Sequence, residues 1–184
     1  AAMTVSDLVT PTEDQLIMVN DGGLQRIDSK GFRENVTKEK PTSRAVFIPL
    51  LRAVAKPEET VLLISNQGRL WQGNSGRLPL AGTFDELGLK RGEKVIGLGV
   101  AQTDAKLILV TTAGQIKRVE MADVIGSRAE ATWAAIIGLS GDEELLAAVV
   151  ASDNAHVLIC SAGSIKLTPR VLRFESGSIN PQAT

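Results

Sequence analysis

The chain has 184 residues, 43% of them hydrophobic, with 20 Lys and Arg against 21 Asp and Glu and a net charge of −1. That size and apolar content allow a sizeable buried core, while no apolar run approaches the roughly 20 residues that a membrane-spanning helix requires. The near-neutral balance and a pI near 5.9 exclude the uniformly basic surface of a typical nucleic-acid-binding domain, and the single Cys160 excludes an internal disulfide.

Residues 3–9 alternate enough to read as a strand, ended by Pro11. A first hairpin follows over residues 16–26, turning at Asn20-Asp21-Gly22-Gly23, four strong turn formers in a row. Residues 28–44 are polar and charged, with Lys30, Arg33, Lys38, Lys40 and Arg44 against Asp28, Glu34 and Glu39, and read as a long surface loop. Val46-Phe47-Ile48-Pro49-Leu50 reads as a returning strand, placed at an edge or a bulge by its proline.

A second hairpin, centred on Gly68, leads into a glycine-rich excursion that ends in Leu89-Lys90-Arg91-Gly92-Glu93-Lys94. No phosphate-loop pattern occurs there. A third hairpin, centred on Gly114, carries Ile116-Lys117-Arg118. Val95-Ile96-Gly97-Leu98 and Ile136-Ile137-Gly138-Leu139 read as matching apolar segments after the second and third hairpins. Ser140-Gly141-Asp142-Glu143 has the spacing of a helix capping box, but the repeat favours a turn there and a strand through residues 145–150. A fourth hairpin over residues 157–167 carries Gly163 and precedes a Gly- and Ser-containing tail.

The four hairpins share one pattern: an apolar run, a polar turn, a glycine, one variable residue and an apolar residue. Their glycines, Gly22, Gly68, Gly114 and Gly163, are spaced by 46, 46 and 49 residues. A fixed period of that size marks a repeat architecture, and a lone hairpin cannot bury its own apolar face. An all-β, propeller-like array of about four blades is therefore expected, in one domain with units near 11–57, 58–103, 104–153 and 154–184 and an opening strand over 3–9. Each unit is read as a hairpin, a variable excursion and a further strand pair, the last unit being incomplete. Either the opening strand completes that unit by closing the ring, or the chain is cut from a longer array.

Chemistry-bearing constellations are absent from the sequence. His156 is the lone histidine, and tyrosine does not occur. No histidine pairs with a nucleophile and no metal-ligand cluster is visible, so neither a catalytic residue, nor a metal, nor a cofactor is expected. A soluble, intracellular chain is the default expectation.

The motifs resemble those of the C-terminal domain of the DNA gyrase A subunit and the related topoisomerase IV subunit. Val5-Ser6-Asp7-Leu8-Val9 matches the opening segment of that family, and Val110 through Gly114-Gln115-Ile116-Lys117-Arg118 matches its blade hallmark. Gly92-Glu93-Lys94-Val95 and Gly141-Asp142-Glu143 match its later turn. The resemblance implies a β-pinwheel whose blades exchange strands, and non-sequence-specific binding and bending of double-stranded DNA. It also implies a catalytic core elsewhere, partnership with the rest of a topoisomerase A subunit and with the ATPase subunit, and a cytoplasmic, nucleoid-associated location. The basic, glycine-rich box of the gyrase subunit has no full counterpart: residues 30–44 lack paired glycines and consecutive arginines. The resemblance thus points to weaker wrapping.

Candidate phosphate contacts under this reading are Lys30, Arg33, Lys38, Lys40 and Arg44, followed by Arg69, Arg77, Lys90, Arg91, Lys117 and Arg118. The alternative is a propeller-like protein-binding scaffold, consistent with the acidic pI.

Overall fold

The computed structural model describes residues 14–28, 49–126, 129–152 and 155. They form three antiparallel sheets. The first unit supplies β1 (Gln15–Val19), β2 (Gly23–Asp28) and β3 (Leu51–Ala55); the second supplies β4 (Thr60–Ser65), β5 (Arg69–Asn74), β6 (Ala81–Thr83) and β7 (Val95–Val100). The third supplies β8 (Ala105–Thr111), β9 (Ile116–Glu120), the short helix α1 (Met121–Gly126), β10 (Trp133–Ala135) and β11 (Leu145–Ser152).

Sheet order reveals how the units interlock. The sheets run β3-β1-β2-β6, β7-β4-β5-β10 and β11-β8-β9. Each of the first two blades is thus three strands of one unit plus a short strand lent by the next: β6 pairs with β2, Gly23 opposite Thr83, and β10 pairs with β5, Trp133 opposite Trp71. Strand exchange is what the resemblance implies, and it corrects the expectation that each unit keeps a further strand pair for itself. Two other expectations shift as well. The returning strand of the first unit is Leu51–Ala55, beyond Pro49 and Leu50, and residues 136–139 are not a strand. The true counterpart of β7 is β11. The opening segment 3–9, the segment 29–48 and the fourth hairpin lie outside the described residues.

Burial follows from the stacking. In β1 every second residue, Gln15, Ile17 and Val19, is buried, the signature of a strand with one covered face. β4 lies in the middle blade and is covered on both faces, so its apolar run is continuous. Val61 and Leu63 join the core toward the first blade, and Leu62 and Ile64 join the core toward the third.

The third strands of successive blades, β3, β7 and β11, lie against one another. Small residues permit that approach: a Cβ placed on Gly99 would lie 2.4 Å from the Val150 side chain, and one on Gly97 would lie 2.7 Å from Ala148. Away from these strands larger side chains fill the gap, among them Trp71, Leu78 and Phe84 between the first two blades and Met121, Val124 and Ile136 between the last two.

The hairpin turns obey the glycine expectation in two of three cases. Gly68 and Gly114 have φ of 72° and 80°, a region that costs other residues strain. In the first hairpin the Asn20 side chain does the work instead, its Oδ1 accepting hydrogen bonds from the Gly22 and Gly23 amides, each at 2.9 Å.

Candidate nucleic-acid interface

Of the eleven cations singled out from the sequence, six fall on described residues: Arg69, Arg77, Lys90, Arg91, Lys117 and Arg118. Lys30, Arg33, Lys38, Lys40 and Arg44 lie outside them. The six are not brought into one patch.

Lys90 and Arg91 occupy a tight turn closed by the Glu93 amide donating to the Lys90 carbonyl at 3.0 Å. The turn lies at the hairpin end of the second blade, where Lys90, Arg91, Gln67 and Arg69 line an open depression reaching Ala135 at the end of β10. Both cations are exposed. Lys94, which belongs to the same basic segment but is not among the candidate contacts, is exposed beside them. Its place is fixed by a reciprocal pair of hydrogen bonds: the Asn66 amide donates to the Lys94 carbonyl at 2.9 Å, and the Lys94 amide donates to Asn66 Oδ1 at 2.8 Å. Its nearness to Lys90 and Arg91 in sequence was the available signal.

Arg69 faces the same depression but is engaged. Its Nε and Nη2 donate to the two carboxylate oxygens of Glu93 at 2.9 and 2.5 Å, the forked geometry that suits guanidinium and carboxylate. The group also sits 5.6 Å from the centroid of the Trp133 ring. Arg77 pairs with Glu130 at 3.4 Å, but both side chains are well exposed, at 76% and 58%; such a pair contributes little.

Lys117 and Arg118 lie on β9, away from the Lys90 turn, and both are partly buried. The Nε of Arg118 is buried without a hydrogen-bond partner among the described residues. Strand register explains its setting. Arg26, Gln72 and Arg118 each lie four residues after the hairpin glycine of their unit, in β2, β5 and β9, and pair with Ile17, Leu62 and Ile108 of the preceding strand. Arg26 Nε donates to the Leu78 carbonyl at 3.0 Å and Gln72 Nε2 to the Ile125 carbonyl at 3.5 Å, each reaching into the following unit. Arg118 thus occupies the position that in the first two blades reaches into the next unit.

Charge is unevenly divided. The described residues carry 11 Lys and Arg against 15 Asp and Glu, whereas residues 29–48 carry five cations and two carboxylates. Among the described residues no group of three or more His, Cys, Asp or Glu could hold a metal ion, and no helix is long and apolar enough to cross a membrane.

No family model matches the sequence, and no curated protein matches it. Solved structures do share its fold. The C-terminal domain of DNA topoisomerase IV is similar at 16% identity and a TM-score of 0.63, over 78% of this chain and 47% of that one. The C-terminal domain of DNA gyrase A gives 21% identity and 0.54, over 77% and 49%. The ParC C-terminal domain from E. coli gives 18% identity and 0.57, over 75% and 56%. The chain spans about half the length of these domains. At such identities the likeness establishes the fold, and that fold is the β-pinwheel.

Proposed function

We propose that this chain binds duplex DNA through its phosphates, without reading base sequence, as a C-terminal domain of a type IIA topoisomerase A subunit that presents DNA to a catalytic core elsewhere. The shared fold with topoisomerase IV and gyrase A C-terminal domains carries this reading. Charge placement supports it. The blades themselves are net acidic, so affinity is assigned first to Lys30, Arg33, Lys38, Lys40 and Arg44. In chain order these sit between the second and third strands of the first unit, where the second unit carries β6 and the Lys90 turn. Lys90, Arg91 and Lys94 form the second element, with Arg77, beyond the opposite end of β5, as a weaker contributor. Lys117 is a lesser contact, and Arg69 and Arg118 serve the packing of the blades.

Phosphate contacts release condensed counterions and so give salt-dependent binding that ignores sequence. Bending follows where cations on a curved rim meet successive phosphates. No catalytic step is assigned to the chain; its partners under this reading are duplex DNA, the rest of the A subunit and the ATPase subunit, in the bacterial cytoplasm at the nucleoid.

The net acidity of the described residues favours a second reading, a protein-binding scaffold. Fluorescence anisotropy with two 40-base-pair duplexes of unrelated sequence separates them. The DNA reading predicts equal affinities for both duplexes, weakening together as salt rises; absence of binding at low salt assigns the chain to the scaffold class.

A further inference from the structure

The hairpin ends of the second and third blades are built alike but charged oppositely. In the second blade the Asn66 amide donates to the Lys94 carbonyl at 2.9 Å, and the Lys94 amide donates back to Asn66 Oδ1 at 2.8 Å. In the third blade the Thr112 amide donates to the Glu144 carbonyl at 2.8 Å, and the Glu144 amide donates back to Thr112 Oγ1 at 3.1 Å. The preceding turns are closed alike, Glu93 to Lys90 and Glu143 to Ser140, amide to carbonyl, each at 3.0 Å, although the left-handed residue is the third of the first turn, Gly92 at φ 87°, and the second of the other, Gly141 at φ 56°. Residues 90–94 therefore correspond one by one to residues 140–144. The first set, Lys-Arg-Gly-Glu-Lys, is cationic; the second, Ser-Gly-Asp-Glu-Glu, is anionic.

The two ends are direct neighbours. The Leu145 amide donates to the Asn66 carbonyl at 2.7 Å, and Gln67 Nε2 donates to Glu144 Oε1 at 3.1 Å. Two of the three acidic side chains serve the fold, Glu144 by holding Gln67 and Glu143 by accepting the Ser140 amide at 3.3 Å. Asp142 does not. It is exposed, and among the described residues no hydrogen bond or ion pair engages its carboxylate. The side chains of Lys90, Arg91 and Lys94 are likewise exposed and, among the described residues, unpaired. The charges at these positions are free to meet a partner.

We infer that the acidic turn of the third blade is a boundary that confines duplex contact, at this end of the stack, to the second blade. The inference rests on the DNA-binding reading and adds a direction to it. Stacked sheets lie about 10 Å apart, and the screening length is about 8 Å at physiological salt. A phosphate seated at Lys90 and Arg91 is thus largely shielded from Asp142, whereas a duplex crossing onto the third blade meets its carboxylate directly. The path turns away from the third blade.

The test is Asp142→Lys in the whole chain, with Asp104→Lys as control. Asp104 is exposed just before β8, at the opposite end of the same blade, and its substitution changes net charge equally. Duplex binding is measured across a salt series. The inference predicts roughly three- to tenfold tighter binding for Asp142→Lys and a log-log salt slope steeper by about one, as for one added phosphate contact, with little change for Asp104→Lys. Equal gains from both variants, or no gain from Asp142→Lys while the wild-type chain binds, would overturn it. Absence of binding by wild type and by both variants instead removes the DNA-binding reading itself, and this inference with it.

Discussion

The guanidinium of Arg69 lies 5.6 Å from the centroid of the Trp133 ring, so a residue of the second blade's own hairpin covers a strand lent by the third unit. Trp133 is anchored below as well, its Nε1 donating to the Leu87 carbonyl at 2.9 Å. Glu93 holds the guanidinium in place with two hydrogen bonds. The four residues clasp β10 to β5.

Trp133→Ala is expected to destabilise the chain by about 2–4 kcal/mol, from lost ring packing and an unpaired Leu87 carbonyl. Urea unfolding followed by circular dichroism reads this out.

The Arg69–Glu93 pair is mostly buried, with side chains 17% and 7% exposed. Removing one partner strands a charge, so Arg69→Met is expected to cost about 3 kcal/mol. The double variant Arg69→Met with Glu93→Met is expected to lie closer to wild type than Arg69→Met alone, because no unpaired charge remains. Midpoints of urea unfolding for the two variants decide the matter.

Gly99→Val forces side-chain atoms into Val150, where even a bare Cβ would sit at 2.4 Å. The blades must part at their closest line of approach, and overpacking of this kind costs about 1–3 kcal/mol or more. Gly114→Ala is the comparison: nothing lies within 4 Å of its Cβ, so only the strain of φ at 80° applies, on the order of 1 kcal/mol. Thermal unfolding of the pair is expected to rank Gly99→Val as the more damaging change.

Ser75 donates to Gln15 Oε1 at 2.6 Å, with both residues buried, and so ties the first blade to the excursion of the second unit. Ser75→Ala leaves that acceptor unpaired and is expected to cost about 1–3 kcal/mol, measurable by the same unfolding experiment.

What the sequence made legible was local. The hairpins at Gly22, Gly68 and Gly114 announce themselves because apolar run, turn and glycine lie within one dozen residues. The lent strands do not: Ala81-Gly82-Thr83 and Trp133-Ala134-Ala135 are too short to show alternation, and their partners lie in another unit. Residues 136–139 look like a strand because they are apolar, yet Ile136 and Ile137 serve the core, and Ile137 packs beneath Gly68. The match of β7 with β11 was partly legible in the shared turn pattern of Gly92-Glu93-Lys94 and Gly141-Asp142-Glu143, and the pairing of β7 with β4 and of β11 with β8 completes it. Candidate cations fared similarly. Lys90 and Arg91 are exposed, as a basic turn suggests, whereas the partners that occupy Arg69 lie 24 and 64 residues away in sequence.

The central claim is tested most directly by binding of the whole chain to linear duplex DNA across a salt series, repeated with Lys30, Arg33, Lys38, Lys40 and Arg44 all changed to Gln. The account predicts a steep log-log salt slope for the wild-type chain and a slope shallower by up to about 4.5 for the variant. A wild-type chain that fails to bind at low salt, or a variant whose affinity and slope equal those of wild type, would contradict it.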